Sequence, residues 1–82
     1  MKKPIPNTLR AHRKQAGLRQ LDVANKLGFC TTDRISRWEK GLTFPHMVNL
    51  YKLSGIYNVL PHELYGELFT NIVGEMQNGK LE

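Results

Sequence analysis

A short segment in the middle of the chain carries two kinds of side chain at helical spacing. Ile35 and Trp38 are apolar and three residues apart, which is typical of one face of an α-helix. The opposite face of such a helix carries hydrogen-bonding or charged groups, and these are Thr32, Asp33, Ser36, Arg37 and Lys40. A helix of this kind packs through its apolar face and offers polar groups of the type that bind base edges and phosphates. The chemistry that the pattern favours is recognition of a nucleic acid.

The polar side chains of this segment differ in what they can do. Arg37 is the leading candidate for a base contact, because arginine paired with guanine is the commonest specific contact to DNA. Asp33 either accepts a hydrogen bond from a cytosine or adenine amino group or stabilises the positive end of its own helix. Ser36 either contacts a base or is small enough to allow close approach, and Thr32 either caps the helix or contacts a base. Arg34 points to one side, where it either reaches a phosphate or stays in solvent.

The charge of the chain is confined to one half. Residues 1–44 carry ten basic and three acidic side chains, a balance of +7, whereas residues 45–82 carry two basic and four acidic ones, a balance of −2. A basic half of this kind either binds a polyanion, with DNA the leading candidate, or forms an ordinary solvated surface. The single cysteine, Cys30, excludes an internal disulfide, and the three histidines lack the spacing of a zinc site.

Five short helices are expected to position these groups in one all-α domain. Apolar spacing, glycines and prolines predict helices over residues 9–16, 20–27, 33–40, 46–54 and from 61 onward. In the second helix, Leu21, Ala24 and Leu27 share a face, with Val23 beside them. Gly55 is expected to end the fourth helix, with Pro45 at its first position. The last helix contains two glycines and is expected to break or fray after about residue 70.

Residues 9–64 resemble the Cro/phage-repressor-type helix-turn-helix family, also called Xre-like. The matching residues are Leu9, Arg13, Gly17, Leu18, Gln20, Ala24, Leu27, Gly28, the run from Ile35 to Gly41, Pro45, Leu53, Glu63 and Leu64. The resemblance implies a compact bundle of the lambda-repressor type, with a DNA-binding domain over residues 4–70 and the helix-turn-helix motif at 20–40. Residues 71–82 would form a C-terminal extension, helical or frayed, and a candidate dimerisation segment.

The resemblance also implies roles for individual residues. The positions that face base edges are Thr32, Asp33, Ser36 and Arg37, and those near phosphates are Gln20, Thr31, Lys40 and Thr43. Arg13 and Glu39 match an internal ion pair that ties the first helix to the third. Arg19 stands where the family usually has a capping Thr, Ser or Asn, so it loses a side-chain cap and gains a phosphate contact. Arg19 and Arg34 are therefore added to the candidate phosphate contacts. The turn from Gly28 to Ile35 is one residue longer than the commonest family spacing.

These features predict a transcriptional regulator, a repressor that binds a palindromic operator as a homodimer. The expected dimer surface is the apolar stripe of the last helix, formed by Leu64, Leu68, Phe69, Ile72 and Val73. The alternative is an antitoxin-like interaction module that holds a protein partner through its C-terminal helix and uses DNA binding for autoregulation. No enzymatic motif, cofactor site or metal site is expected. No apolar stretch is long enough to span a membrane, and a cytoplasmic protein of bacterial, phage or mobile-element origin is expected.

Overall fold

A computed structural model of the protein describes residues 3–77, and all the regular structure in that range is helical. The helices are α1 (Leu9–Gln15), α2 (Gln20–Leu27), α3 (Asp33–Glu39), α4 (Met47–Tyr57), α5 (Pro61–Leu64) and α6 (Gly66–Gln77). The expected all-α class is confirmed. The expected number of helices was wrong by one, because the last helix is divided in two.

The pair α2–α3 is joined by a turn that begins at Gly28, whose φ of +80° lies in the left-handed region that favours glycine. On the α2 face that meets the core, Val23 and Ala24 are fully buried. Leu21 is 43% exposed, so its expected place on the buried face was wrong. The helix is rotated so that Val23, Ala24 and Leu27 form the inner stripe.

The core joins the helix-turn-helix pair to the C-terminal helices. Ile35 and Trp38 are buried beneath α3, and the ring of Trp38 meets the ring of Phe29 edge to face, with centroids 5.9 Å apart. The other buried hydrophobic side chains are Leu9, Val23, Ala24, Leu27, Leu53, Tyr57, Leu64 and Tyr65. The inner face of α3 is therefore anchored in the centre of the domain.

Helix α4 runs two residues beyond the expected stop. It passes through Gly55 and ends after Tyr57, where Asn58 adopts a left-handed φ of 56°. Leu53 and Tyr57, four residues apart, are both buried, and their packing outweighs the roughly 1 kcal/mol that a helical glycine costs. The expected place of Pro45 at the first position of this helix was wrong, since the helix begins at Met47 with His46 as its N-cap.

The expected final helix is interrupted at Tyr65, whose φ of −132° and ψ of 40° are not helical. The interruption lets two consecutive side chains, Leu64 and Tyr65, face the core together, which a continuous helix would point about 100° apart. The expected break after residue 70 was wrong, since α6 continues to Gln77. Residues 78–82 of the expected extension lie outside the described residues.

Leu64 was wrongly assigned to the dimer surface. Its exposed fraction is 0%, and it packs in the core. The other members of the expected stripe lie on α6. Phe69 and Ile72 are exposed by 55% and 44%, and Leu68 and Val73 are half-buried.

Candidate nucleic-acid interface

The outward side of α3 is polar, as the spacing of its residues requires. Asp33 and Arg37 are exposed, and Thr32 and Ser36 are half-buried. Neither the Asp33 carboxylate nor the Arg37 guanidinium forms a hydrogen bond or ion pair with any of residues 3–77. We call these four residues the α3 polar face. Its charged groups are available to a ligand.

An ion-pair network holds the far end of α3 in place. Nε of Arg13 donates to Oε2 of Glu39 at 2.6 Å, and Nη2 donates to Oε1 at 3.2 Å. Nη1 of the same guanidinium donates to the carbonyl of Leu18 at 3.0 Å, and the Gln20 amide donates to Oε1 of Glu39 at 3.0 Å. The hydrogen bond with Glu39 raises the pKa of Arg13 above its usual value. The network ties α1, α2 and α3 into one rigid unit.

The same network positions Gln20 at the start of α2. Its side-chain amide has two N–H donors, and the bond to Glu39 uses one of them. The second donor remains for a ligand beside α3. Arg19, one residue earlier, is turned toward Asp22: its Nη2 lies 3.1 Å from Oδ1, and its backbone N–H donates to Oδ2 at 2.8 Å. Asp22 thus supplies the helix-start contact that the Arg19 side chain cannot.

The turn before α3 is braced by an aromatic ring. The Arg34 guanidinium lies over the Phe29 ring at 4.7 Å from its centroid, a cation–π contact. The hydroxyl of Thr31 accepts a hydrogen bond from the backbone N–H of Asp33 at 3.3 Å, and so caps the first turn of α3. Thr32 is the N-cap residue of α3, but its side chain makes no capping hydrogen bond. These contacts place Thr31 and Arg34 beside the N-terminus of α3.

The N-terminal segment of the chain also holds the C-terminal end of α3. The Asn7 amide donates to the carbonyls of Trp38 and Glu39 at 3.2 and 3.4 Å, while its oxygen accepts from the backbone N–H of Leu9 at 3.1 Å. The backbone N–H of Ile5 donates to the carbonyl of Gly41 at 2.8 Å. The α3 partners of Asn7 lie 31 and 32 residues away along the chain, and no local sequence pattern indicates them.

Two clefts flank the α3 polar face. One, of about 250 Å³, brings together Arg34, Arg37 and Thr43. The other, of about 270 Å³, brings together Gln20, Ser36 and Lys40. Nine of the ten candidate contact residues therefore lie on or beside α3: Gln20, Thr31, Thr32, Asp33, Arg34, Ser36, Arg37, Lys40 and Thr43. Arg19 is the candidate that the structure leaves apart, paired with Asp22.

A protein-family model for helix-turn-helix proteins matches residues 9–64, about two thirds of the chain. The chain belongs to the Cro/phage-repressor-type helix-turn-helix family. No curated protein and no solved structure gives a significant match.

As a helix-turn-helix protein of this family, the chain is a DNA-binding regulator of transcription. In such proteins the second helix of the motif enters the major groove, and that helix is α3. Within residues 3–77, no helix combines the length and the apolar character that crossing a membrane requires.

Proposed function

We propose that the protein is a repressor that places α3 in the major groove of a palindromic operator, with one copy of the chain on each half-site. The observation that supports this most directly is the two-sidedness of α3. Ile35 and Trp38 fix the helix from within, while Asp33 and Arg37 are exposed and carry unpaired charge among the described residues. A rigid helix with free polar groups can pair with base edges at little cost in conformational entropy.

Arg37 supplies the main base contact in this proposal, paired with a guanine. Thr32, Asp33 and Ser36 complete the contacts to the half-site. The charged and polar groups around the helix, Gln20, Thr31, Arg34, Lys40 and Thr43, bind the sugar-phosphate backbone, together with Arg19 just before α2. Such phosphate contacts supply most of the affinity and set the register of the protein on the duplex, whereas base contacts select the sequence.

The proposed dimer uses an apolar groove formed by α4, α5 and α6. Among its lining residues, Phe44, Met47, Tyr51, Phe69 and Ile72 are each between 44% and 68% exposed. If an aromatic side chain is taken as about 150–250 Å², the three aromatic side chains of this set, Phe44, Tyr51 and Phe69, alone expose roughly 240–400 Å². That is up to about half of the approximately 800 Å² that each partner buries in a standard interface, and Met47 and Ile72 add to it.

A second copy of the chain is the occupant that we assign to this groove. Phe69 and Ile72 of α6 are exposed along it, the half-buried Leu68 also lines it, and the half-buried Val73 follows Ile72 on the same helix. An isologous contact through α6 buries the groove of both copies at once, and the two α3 helices of such a dimer would bind half-sites about 34 Å apart on a palindromic operator.

The DNA-binding proposal is tested by selecting duplexes from a random pool and titrating the protein with the selected and a scrambled sequence. Arg37→Ala should cost about 1–3 kcal/mol on the selected sequence and much less on the scrambled one. Lys40→Ala should weaken both equally and reduce the salt dependence. Equal affinity of the wild-type protein for the two duplexes would contradict the proposal.

The dimer is tested by sedimentation of Phe69→Lys, with Leu60→Lys as the control. Leu60 is 59% exposed but lies outside the groove. We expect Phe69→Lys to be monomeric and to lose affinity for the two-half-site operator, and Leu60→Lys to behave as wild type. A wild-type protein that stays monomeric on and off the DNA would contradict the dimer while leaving half-site recognition in place.

A further inference from the structure

The cleft that contains Gln20, Ser36 and Lys40 has a third side, which helix α1 supplies. Arg10 lines it from α1, outside the helix-turn-helix motif, and Arg13 and Glu39 lie at its floor. Three helices therefore converge on a space of about 270 Å³ immediately beside the α3 polar face.

The charges around this cleft favour an anion. The Glu39 carboxylate would repel one, but it accepts two hydrogen bonds from Arg13 and one from Gln20, so the floor carries an ion pair with no net charge. Arg10 and Lys40 are exposed, and neither side chain forms a hydrogen bond or ion pair with any of residues 3–77. Two unpaired positive charges thus line the same cleft as a neutral ion pair.

The hydrogen-bond donors point to an oxyanion. The guanidinium of Arg10 presents a planar set of N–H donors that matches a phosphate, and Gln20 has its second amide N–H free. The hydroxyl of Ser36 lies at the same cleft. The cleft adjoins α3, the helix that enters the major groove of DNA. The phosphate that can reach the cleft is therefore one of the DNA backbone.

We propose that this cleft binds one backbone phosphate in each half-site and that Arg10 is its main charged ligand, with Gln20 and Lys40 on the other sides. The inference rests on the proposed function, since the phosphate belongs to bound DNA. It adds α1 to the DNA-binding surface of the molecule.

The test compares Arg10→Gln, Arg10→Lys and the control Lys14→Gln on the selected and the scrambled duplex. Lys14 is an exposed base on the same helix but does not line the cleft. One lost phosphate contact lowers the slope of log affinity against log salt by about 0.9. Raising the salt fourfold should therefore weaken Arg10→Gln by about 3.5-fold less than the wild type for each half-site. Arg10→Lys should restore most of the slope, and Lys14→Gln should keep it.

A second measurement locates the phosphate. Single methylphosphonate substitutions along the operator remove one backbone charge at a time. The wild-type protein should bind less tightly to every duplex whose substitution removes a contacted phosphate. For Arg10→Gln, the substitution at one position in each half-site should no longer change the affinity. The preference of this variant for the selected over the scrambled duplex should equal that of the wild type.

The outcomes separate the two proposals. If the wild type distinguishes the duplexes but Arg10→Gln keeps the wild-type salt slope and every methylphosphonate penalty, the phosphate cleft is wrong and the repressor proposal stands. If the wild type binds neither duplex, both are wrong. Circular dichroism of Arg10→Gln should match the wild type, because the side chain is exposed.

Discussion

Replacing Glu39 with glutamine measures how much the ion pair beneath α3 contributes to the fold. The side chains of Arg13 and Glu39 are only 10% and 5% exposed, and two hydrogen bonds join them. Glutamine keeps the size of glutamate but removes the charge, so that the buried guanidinium of Arg13 loses its counter-ion. We expect a loss of about 3 kcal/mol in unfolding free energy. For a domain of this size that lowers Tm by roughly 12–24 °C.

The assay is urea unfolding of Glu39→Gln. A double-mutant cycle measured in the same way adds Arg13→Met, Glu39→Leu and the combined variant. Removing both charges leaves neither one buried and unpaired, so the combined variant should be more stable than either single variant. It lacks the acceptor that orients Gln20, and its affinity for operator DNA should therefore fall although its fold is kept. Arg19→Gln, at a pair whose arginine is 77% exposed, is the control and should leave Tm almost unchanged.

The result that would refute this reasoning is a loss below about 1 kcal/mol for Glu39→Gln, the value of a solvated surface pair. Additive effects of the two single variants would refute it as well, because they would show that Arg13 and Glu39 do not interact in the folded state.

Three further predictions concern Gly41, Tyr65 and Cys30. Gly41→Ala should cost about 2–4 kcal/mol by urea unfolding, since a Cβ there would lie 2.5 Å from the Ile5 carbonyl oxygen, whereas Gly17→Ala, at φ +72° in open space, should cost only about 1–2 kcal/mol. Tyr65→Phe should stabilise the protein by roughly 1 kcal/mol, because the buried Tyr65 hydroxyl has no partner within residues 3–77. Burial raises the pKa of Tyr65 to about 12, so the wild type should lose stability between pH 10 and 12, where the unfolded chain ionises first, and Tyr65→Phe should lose less. The exposed Cys30, in the turn before α3, should react with a maleimide in the free protein and be protected by operator DNA, and equal rates would place the turn outside the DNA interface.

Helix positions near glycines and prolines followed from the sequence where local effects dominate. Gly17 and Gly28 end α1 and α2 as expected, since only a residue without a Cβ adopts their left-handed φ at low cost. Gly55 was misleading, because a glycine in a right-handed helix costs little and the burial of Leu53 and Tyr57 decides the matter. In α4 the packing of a buried side chain on each side of Gly55 outweighs the low helix propensity of the glycine.

The sequence by itself determined the two-sided character of α3. The three-residue spacing of Ile35 and Trp38 fixes the buried face of the helix, and helical geometry then assigns each of the remaining side chains to a face. The structure alone decided what lies around that helix. Asn7 reaches its C-terminal end across more than 30 residues, and Arg10 and Lys40 line one cleft beside it. The physical reason is that helical periodicity repeats within a few residues. Contacts between separate helices depend on how the whole core packs, and no short stretch of the chain encodes them.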